Sequence, residues 1–363
     1  MPFQINPAEK KTKNFKALSS RVWVQKMSLL RKIVPDLFDT PISRKSNVPT
    51  IAAAAGIIFS VLVGRRVFRF VLKGPEKQDY VDSRTTIAYS GAASLWCYYT
   101  GVYYYLYHHF DLSQVRVTGI SMGVTTAFAT VLNMAPSQKF HIGLHWAAMI
   151  WNRPLACFFM SSQDWIDTGT KVTKQFGMTD ELVQKFIGSS TIFCGVTDIS
   201  VFPPQHMLLT DASSLNEAFY WSTLSQRIFP FYRYPGYYKG MLIADGFFSG
   251  IWSKPPNLDE SKFIKITPFP IPGADVSPKR GSGECFSVID VGYSRSKERM
   301  WRQLEVGYKC AERAHKALVR KGLVEKLCNE RDRFGSVGSL NHMLEEFDDV
   351  MEEFKKTDKH KTW

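Results

Sequence analysis

A chain of 363 residues, 45% hydrophobic and 14% aromatic, can bury a substantial core in one large domain or two modest ones, which excludes a disordered chain. Its net charge of +13 is uneven, because residues 1–50 carry ten Lys and Arg against three Asp and Glu. No nucleic-acid motif accompanies that excess, and the basic segment runs into an apolar one, so the expected partner is a membrane surface and not nucleic acid.

In chain order, residues 21–34 (RVWVQKMSLLRKIV) put Trp23, Met27, Leu30 and Val34 on one helical face and Arg21, Gln25, Ser28 and Lys32 on the other. This predicts a basic amphipathic helix within an N-terminal segment 1–47, suited to a membrane surface or to the protein's own body. From Val48 to Gly64, 17 residues carry no charge. A transmembrane or membrane-embedded helix is expected over 48–74, and basic flanks on both sides leave its topology open. About fifty residues precede that apolar run, too many for a signal peptide. The six cysteines (Cys97, Cys157, Cys194, Cys285, Cys310, Cys328) are scattered without a C-x-x-C pair, which argues against zinc and a disulfide framework. An intracellular, reduced protein is expected.

From about residue 84 an α/β alternation begins. TTIAYSG (85–91) reads as a strand ending in a small-residue loop, Leu95–Phe110 as a helix with an aromatic face, and Val115–Thr118 as the next strand. Helical patterns fill 122–134 and 141–160. Strands are expected at 190–200, at MLLTDASS (207–214), and at 240–250, the last entering an Asp-Gly turn. Residues 254–283, rich in Pro, Gly and Ser, predict a long irregular connection. Trp301, Leu304, Tyr308, Ala311, Ala314 and Leu318 recur at helical spacing over 296–320, and a charged helical tail is expected over 326–363.

The stretch VRVTGISMGVTTAFAT (115–130) sets Ser121 between Gly119 and Gly123, at the passage from a strand to a helix. A nucleophile held on so sharp a turn needs neighbours without a Cβ, and the positive end of the following helix suits a developing oxyanion. The bland alternative is an ordinary βα turn. A serine nucleophile also needs a base. The order of the α/β-hydrolases would offer Ser121, Asp245 and His315. That fold places several strands before its nucleophile, however, whereas here the α/β region starts only about 35 residues earlier. His315 also lies within a helical run, as a packed or solvated residue.

Six segments in order resemble the eukaryotic patatin-like lipases: YSGAASLWCYYTGVYYYL (89–106), VTGISMG, the stretch 196–232, YKGMLIADGFFSG, IKITPFPIPGADVSPK and EVGYKCAERAHKALVRKGL. The resemblance spans 84–325. It implies a patatin-like three-layer α/β/α domain with a mainly parallel central sheet, and a phospholipase A or glycerolipid lipase that needs no cofactor and no metal. It implies Ser121 as nucleophile on the Gly119–Gly123 turn, and Asp245 as base, with Gly246 giving the aspartate turn its room. Backbone N–H groups around Gly91, Ala92 and Ala93 would receive the oxyanion. Substrates would be membrane lipids, phospholipid or acylglycerol, while the basic N-terminus before an apolar segment suits an organelle membrane, including the mitochondrial inner membrane, or a lipid-facing cytosolic surface. Ala93 and Trp96 stand where the family has glycine, Met122 is larger than the usual residue, and Phe247 replaces a second glycine. These departures open a second reading, a pseudoenzyme whose lipid pocket is filled by Trp96, Met122 and Phe247 and which serves as a subunit of a membrane protein complex.

Overall fold

The structure is a computed structural model that describes residues 81–152, 191–201, 203–210, 236–287 and 296–326, with 170–171, 174, 179–181, 217 and 220–221 between them. The amphipathic helix at 21–34, the apolar stretch 48–74 and the tail beyond 326 lie outside the described residues. Among those described, no helix is long and apolar enough to cross a membrane.

The fold is mixed α/β. Strand β1 (Thr86–Tyr89) leads through a short loop to helix α1 (Trp96–His109), then to β2 (Phe110–Asp111), β3 (Arg116–Ile120), helix α2 (Gly123–Val131) and helix α3 (Pro136–Asn152). Next come β4 (Ile192–Asp198), β5 (Gln205–Leu209), β6 (Gly236–Tyr238), β7 (Met241–Asp245) and β8 (Phe263–Ile266). Helix α4 (Lys297–Arg320) and β9 (Val324–Glu325) follow, with β9 antiparallel to β2. Among the described residues a parallel run, β8-β1-β3-β4, with β8 at its edge, makes up most of a seven-stranded sheet, and β5 and β7 both pair antiparallel with β4, β7 in turn with β6. Every residue of β1, β3 and β4 is buried, as strands covered on both faces require.

The elements depart from expectation at several points, among them the strand expected at 207–214, which is found at Gln205–Leu209. The region 254–283 is not wholly irregular, since Phe263–Ile266 forms β8 against β1. Four residues interrupted by Lys265 carry too little alternation to stand out between Pro- and Gly-rich flanks. Helix α3 opens at Pro136, five residues before the expected start, with proline in the first helical position where its missing N–H costs nothing. Helix α1 does not have one aromatic face. It is buried continuously from Trp96 to Leu106, and its tyrosines reach in several directions. Tyr99 Oη donates to the Ser90 carbonyl (2.6 Å), Tyr103 Oη to that of Met134 (2.6 Å), and Tyr105 Oη lies 2.8 Å from His315 Nδ1. Helices α1 and α4 touch backbone to backbone. A Cβ at Gly101 would fall 2.0 Å from the Leu304 carbonyl oxygen, and one at Gly307 would fall 2.1 Å from that of Tyr98. Helix α4 follows its expected spacing, with Ser296 Oγ accepting from the Arg299 N–H at its start.

Candidate active site

The site is built by strand register. β5 pairs with β4 from Cys194 to Asp198, so β3 and β7 must share the opposite edge of β4, one after the other. Ile120 opposes Gly195, and Asp245 opposes the next residue, Val196. Because β3 runs parallel to β4 and β7 antiparallel, their C-terminal ends meet head to head on this edge. Ser121 is the residue after β3 and Asp245 is the last of β7, so two residues far apart in sequence arrive at one point.

Ser121 has φ of +53°, in the left-handed region that a residue with a Cβ rarely adopts. The turn is possible because the chain passes itself closely on both sides of the serine. A Cβ at Gly119 would lie 2.6 Å from Val124 Cα, and one at Gly123 would lie 2.5 Å from the Ser90 carbonyl oxygen. The Val124 N–H donates to the Ser121 carbonyl at 3.0 Å, closing the first turn of α2. No side chain caps that helix, so its positive end is left uncapped beside the serine.

The Ser121 hydroxyl hydrogen-bonds the Asp245 carboxyl, and both residues are buried. Asp245 Oδ1 also accepts from the Phe247 N–H at 2.8 Å, so the carboxyl caps the one-turn 3-10 helix Gly246–Phe248. Burial pushes the carboxyl from its ordinary 3.8 up to about 7, against the opposing pull of these two donors. Gly246 is required by close approach, for a Cβ there would lie 2.3 Å from the Gly195 carbonyl oxygen.

The loop between β1 and α1 runs beside this pair. A Cβ at Gly91 would sit 3.4 Å from Ser121 Cβ and 3.4 Å from the Phe247 ring. The Ala92 carbonyl accepts from the Leu95 N–H, and Ala93 takes a left-handed φ of +48°. Among the described residues, the N–H groups of Gly91, Ala92 and Ala93 engage no partner. Of the three bulky side chains expected to fill the pocket, Phe247 does border Gly91. Met122 is half-buried beside its own Thr125. Trp96 turns the other way, onto α3, where its ring packs on Phe140 (centroids 5.5 Å apart) and against Gly143.

His315 is not a partner of this pair. Its Nε2 lies 2.7 Å from Glu325 Oε1 and its Nδ1 meets Tyr105, at the α1–α4 contact. Sequence reasoning passed over Thr197, His206 and Ser249, which lie behind Asp245. No motif marks them: Ser249 ends the aspartate turn itself, the pairing of β4 with β7 brings in Thr197, and the pairing of β5 with β4 brings in His206. Among the described residues, no group of three or more His, Cys, Asp or Glu could hold a metal ion.

The chain matches no family model and no curated relative. Among solved structures it is similar to VipD from Legionella pneumophila, at 9% identity over 80% of this chain and 85% of that one, with a TM-score of 0.40. Its own sheet and site define the class: a mixed α/β protein with a mainly parallel central sheet and a buried Ser–Asp pair at the ends of two of its strands.

Proposed function

We propose that this protein is a serine acyl hydrolase of the patatin-like kind, cleaving fatty-acyl esters of membrane lipids. One observation carries the reading: a serine in a strained left-handed turn, hydrogen-bonded to a buried carboxyl whose proton affinity is raised to about 7. Such a carboxylate is ionised often enough near neutral pH to accept a proton, and basic enough to hold it. In the reaction, Ser121 Oγ attacks the ester carbonyl while its proton passes to Asp245. The tetrahedral oxyanion is received by the unpartnered N–H groups of the 91–93 loop and by the start of α2. Collapse expels the alcohol, which takes the proton from Asp245, and leaves an acyl-enzyme. Water then attacks the acyl-enzyme as its proton passes to Asp245, and collapse releases the fatty acid while Ser121 Oγ leaves and takes that proton back. No step calls for a metal or cofactor.

A second reading, a catalytically silent lipid-binding subunit of a membrane complex, draws support from the Phe247 ring beside Gly91, where it narrows the approach to Ser121. A fluorophosphonate probe separates the two. Covalent labelling that disappears in Ser121→Ala supports the enzyme, and a folded, unlabelled wild type supports the subunit. Membrane attachment, in an organelle membrane such as the mitochondrial inner membrane, rests on the basic amphipathic segment 21–34 and the uncharged stretch 48–64. Removing residues 1–74 should release the protein from membranes, and retention after carbonate extraction would put the anchor elsewhere.

A further inference from the structure

Behind Asp245, away from Ser121, lies a set of hydrogen bonds that the proposed reaction does not use. Thr197 Oγ1 donates to the Asp245 main-chain carbonyl at 2.7 Å. Ser249 Oγ lies 2.8 Å from Thr197 Oγ1 and 2.7 Å from His206 Nδ1, while His206 Nε2 lies 3.0 Å from Ser253 Oγ. His206 stands directly opposite Thr197 in the β5–β4 pairing, so the two side chains share a face of the sheet. Gly195 makes the space, since a Cβ there would fall 1.9 Å from Ser253 Oγ and 3.1 Å from His206 Cε1.

Counting protons gives the chain a direction. The single hydroxyl hydrogen of Thr197 goes to the Asp245 carbonyl, so Thr197 Oγ1 can only accept from Ser249. The Ser249 hydrogen lies between two acceptors, Thr197 Oγ1 and the Gly246 carbonyl 3.1 Å away, and with it directed there the Ser249 lone pairs face His206, so Nδ1 carries a hydrogen and donates it. Nε2 is left bare and accepts from Ser253. Burial holds the imidazole well below its ordinary range, at about 4, so a neutral ring with one hydrogen is its state at neutral pH.

We infer that His206, as the Nδ1–H tautomer, is a positioning residue: hydrogen bonds run from its ring through Ser249 to the Gly246 carbonyl and, by way of Thr197, to the Asp245 carbonyl, and hold the turn that aims the Asp245 carboxyl at Ser121. Every link donates in the same sense, so each bond polarises the next, and loss of the His206 donor weakens both arms at Ser249. The inference rests on the proposed role of Asp245.

The test is steady-state hydrolysis of a short-chain p-nitrophenyl ester by the full chain. An asparagine side chain can present an N–H near the position of Nδ1, whereas a glutamine reaches the position of Nε2. His206→Asn should therefore keep kcat within about threefold of wild type. His206→Gln should lose about ten- to a hundredfold in kcat with KM within about twofold, the size of effect that a displaced catalytic group produces. Thr197→Val breaks the same chain without touching the histidine and should match His206→Gln, so it decides the matter if a histidine variant does not fold. Equal losses in the Asn and Gln variants, or a folded Thr197→Val with wild-type kcat, would overturn the inference alone. A folded wild type inert to both ester and fluorophosphonate would overturn the proposed function and this inference with it.

Discussion

Two residues with side chains hold left-handed backbones in this region, Ser121 at φ +53° and Ala93 at φ +48°, and they are held very differently. Ser121 is locked. Glycines at 119 and 123 let the chain cross its neighbours at distances no side chain would tolerate, and the serine hydroxyl is tied to Asp245. Ala93 is half-buried at the edge of the core, and its amide has no partner among the described residues. The loop is fixed instead at its ends, by Tyr99 on Ser90 and by the Leu95 N–H on Ala92. Strain confined on every side marks a residue whose conformation serves the chemistry. Strain without such confinement costs stability and can be removed.

The largest effect should come from breaking the locked side. Ser121→Ala or Asp245→Asn should each lower kcat by about a thousandfold or more. The double variant should be little worse than either, because the two act as a unit. Additive losses in ester hydrolysis would separate them.

Next is Trp96, which the structure assigns to the α1–α3 contact and not to the loop. Trp96→Ala should cost about 3–5 kcal/mol in denaturant unfolding, the usual penalty for emptying a buried aromatic site. A stable Trp96→Ala protein with raised kcat would show that the ring obstructs the loop after all.

The buried carboxyl predicts a stability difference with a definite sign. The folded pKa of Asp245, about 7, lies above its ordinary 3.8, so the folded protein holds a proton that the unfolded chain releases between those values. The contribution of this group is fully present below about pH 4 and is lost as pH rises through about 7. Asp245→Asn, which cannot ionise, should therefore melt higher than wild type at pH 8, with the gap narrowing toward pH 5. In wild type, kcat/KM should rise with pH through the same region as the base ionises. A gap that widens on acidification would contradict the assigned ionisation.

The smallest effect sharpens the comparison most directly. Ala93→Gly removes a Cβ from a left-handed residue and should stabilise the protein by about 1 kcal/mol in thermal denaturation. Loss of stability would mean that Ala93 is packed in place as firmly as Ser121.

Local patterns in the chain were enough for the strand–turn–helix around Ser121, because glycine spacing and the change from β-branched to helical residues act over a few residues. The recurrence from Trp301 to Leu318 likewise specified α4, since one helix repeats its own buried stripe. Composition misled where a short element was flanked by loop residues, as at β8, or where a helix is buried all round, as at α1. Resemblance pointed to Asp245, but its meeting with Ser121 depends on Gly195 and Val196 lying side by side in β4. That is a matter of register between distant strands, and no periodicity encodes it. The turn of Trp96 toward α3, the escape of His315 to Glu325, and the chain from His206 to Asp245 were likewise decided only by tertiary structure. Each depends on which sheet edge or helix face comes opposite, and a residue's type states what bonds it can make but not which partner the fold will bring.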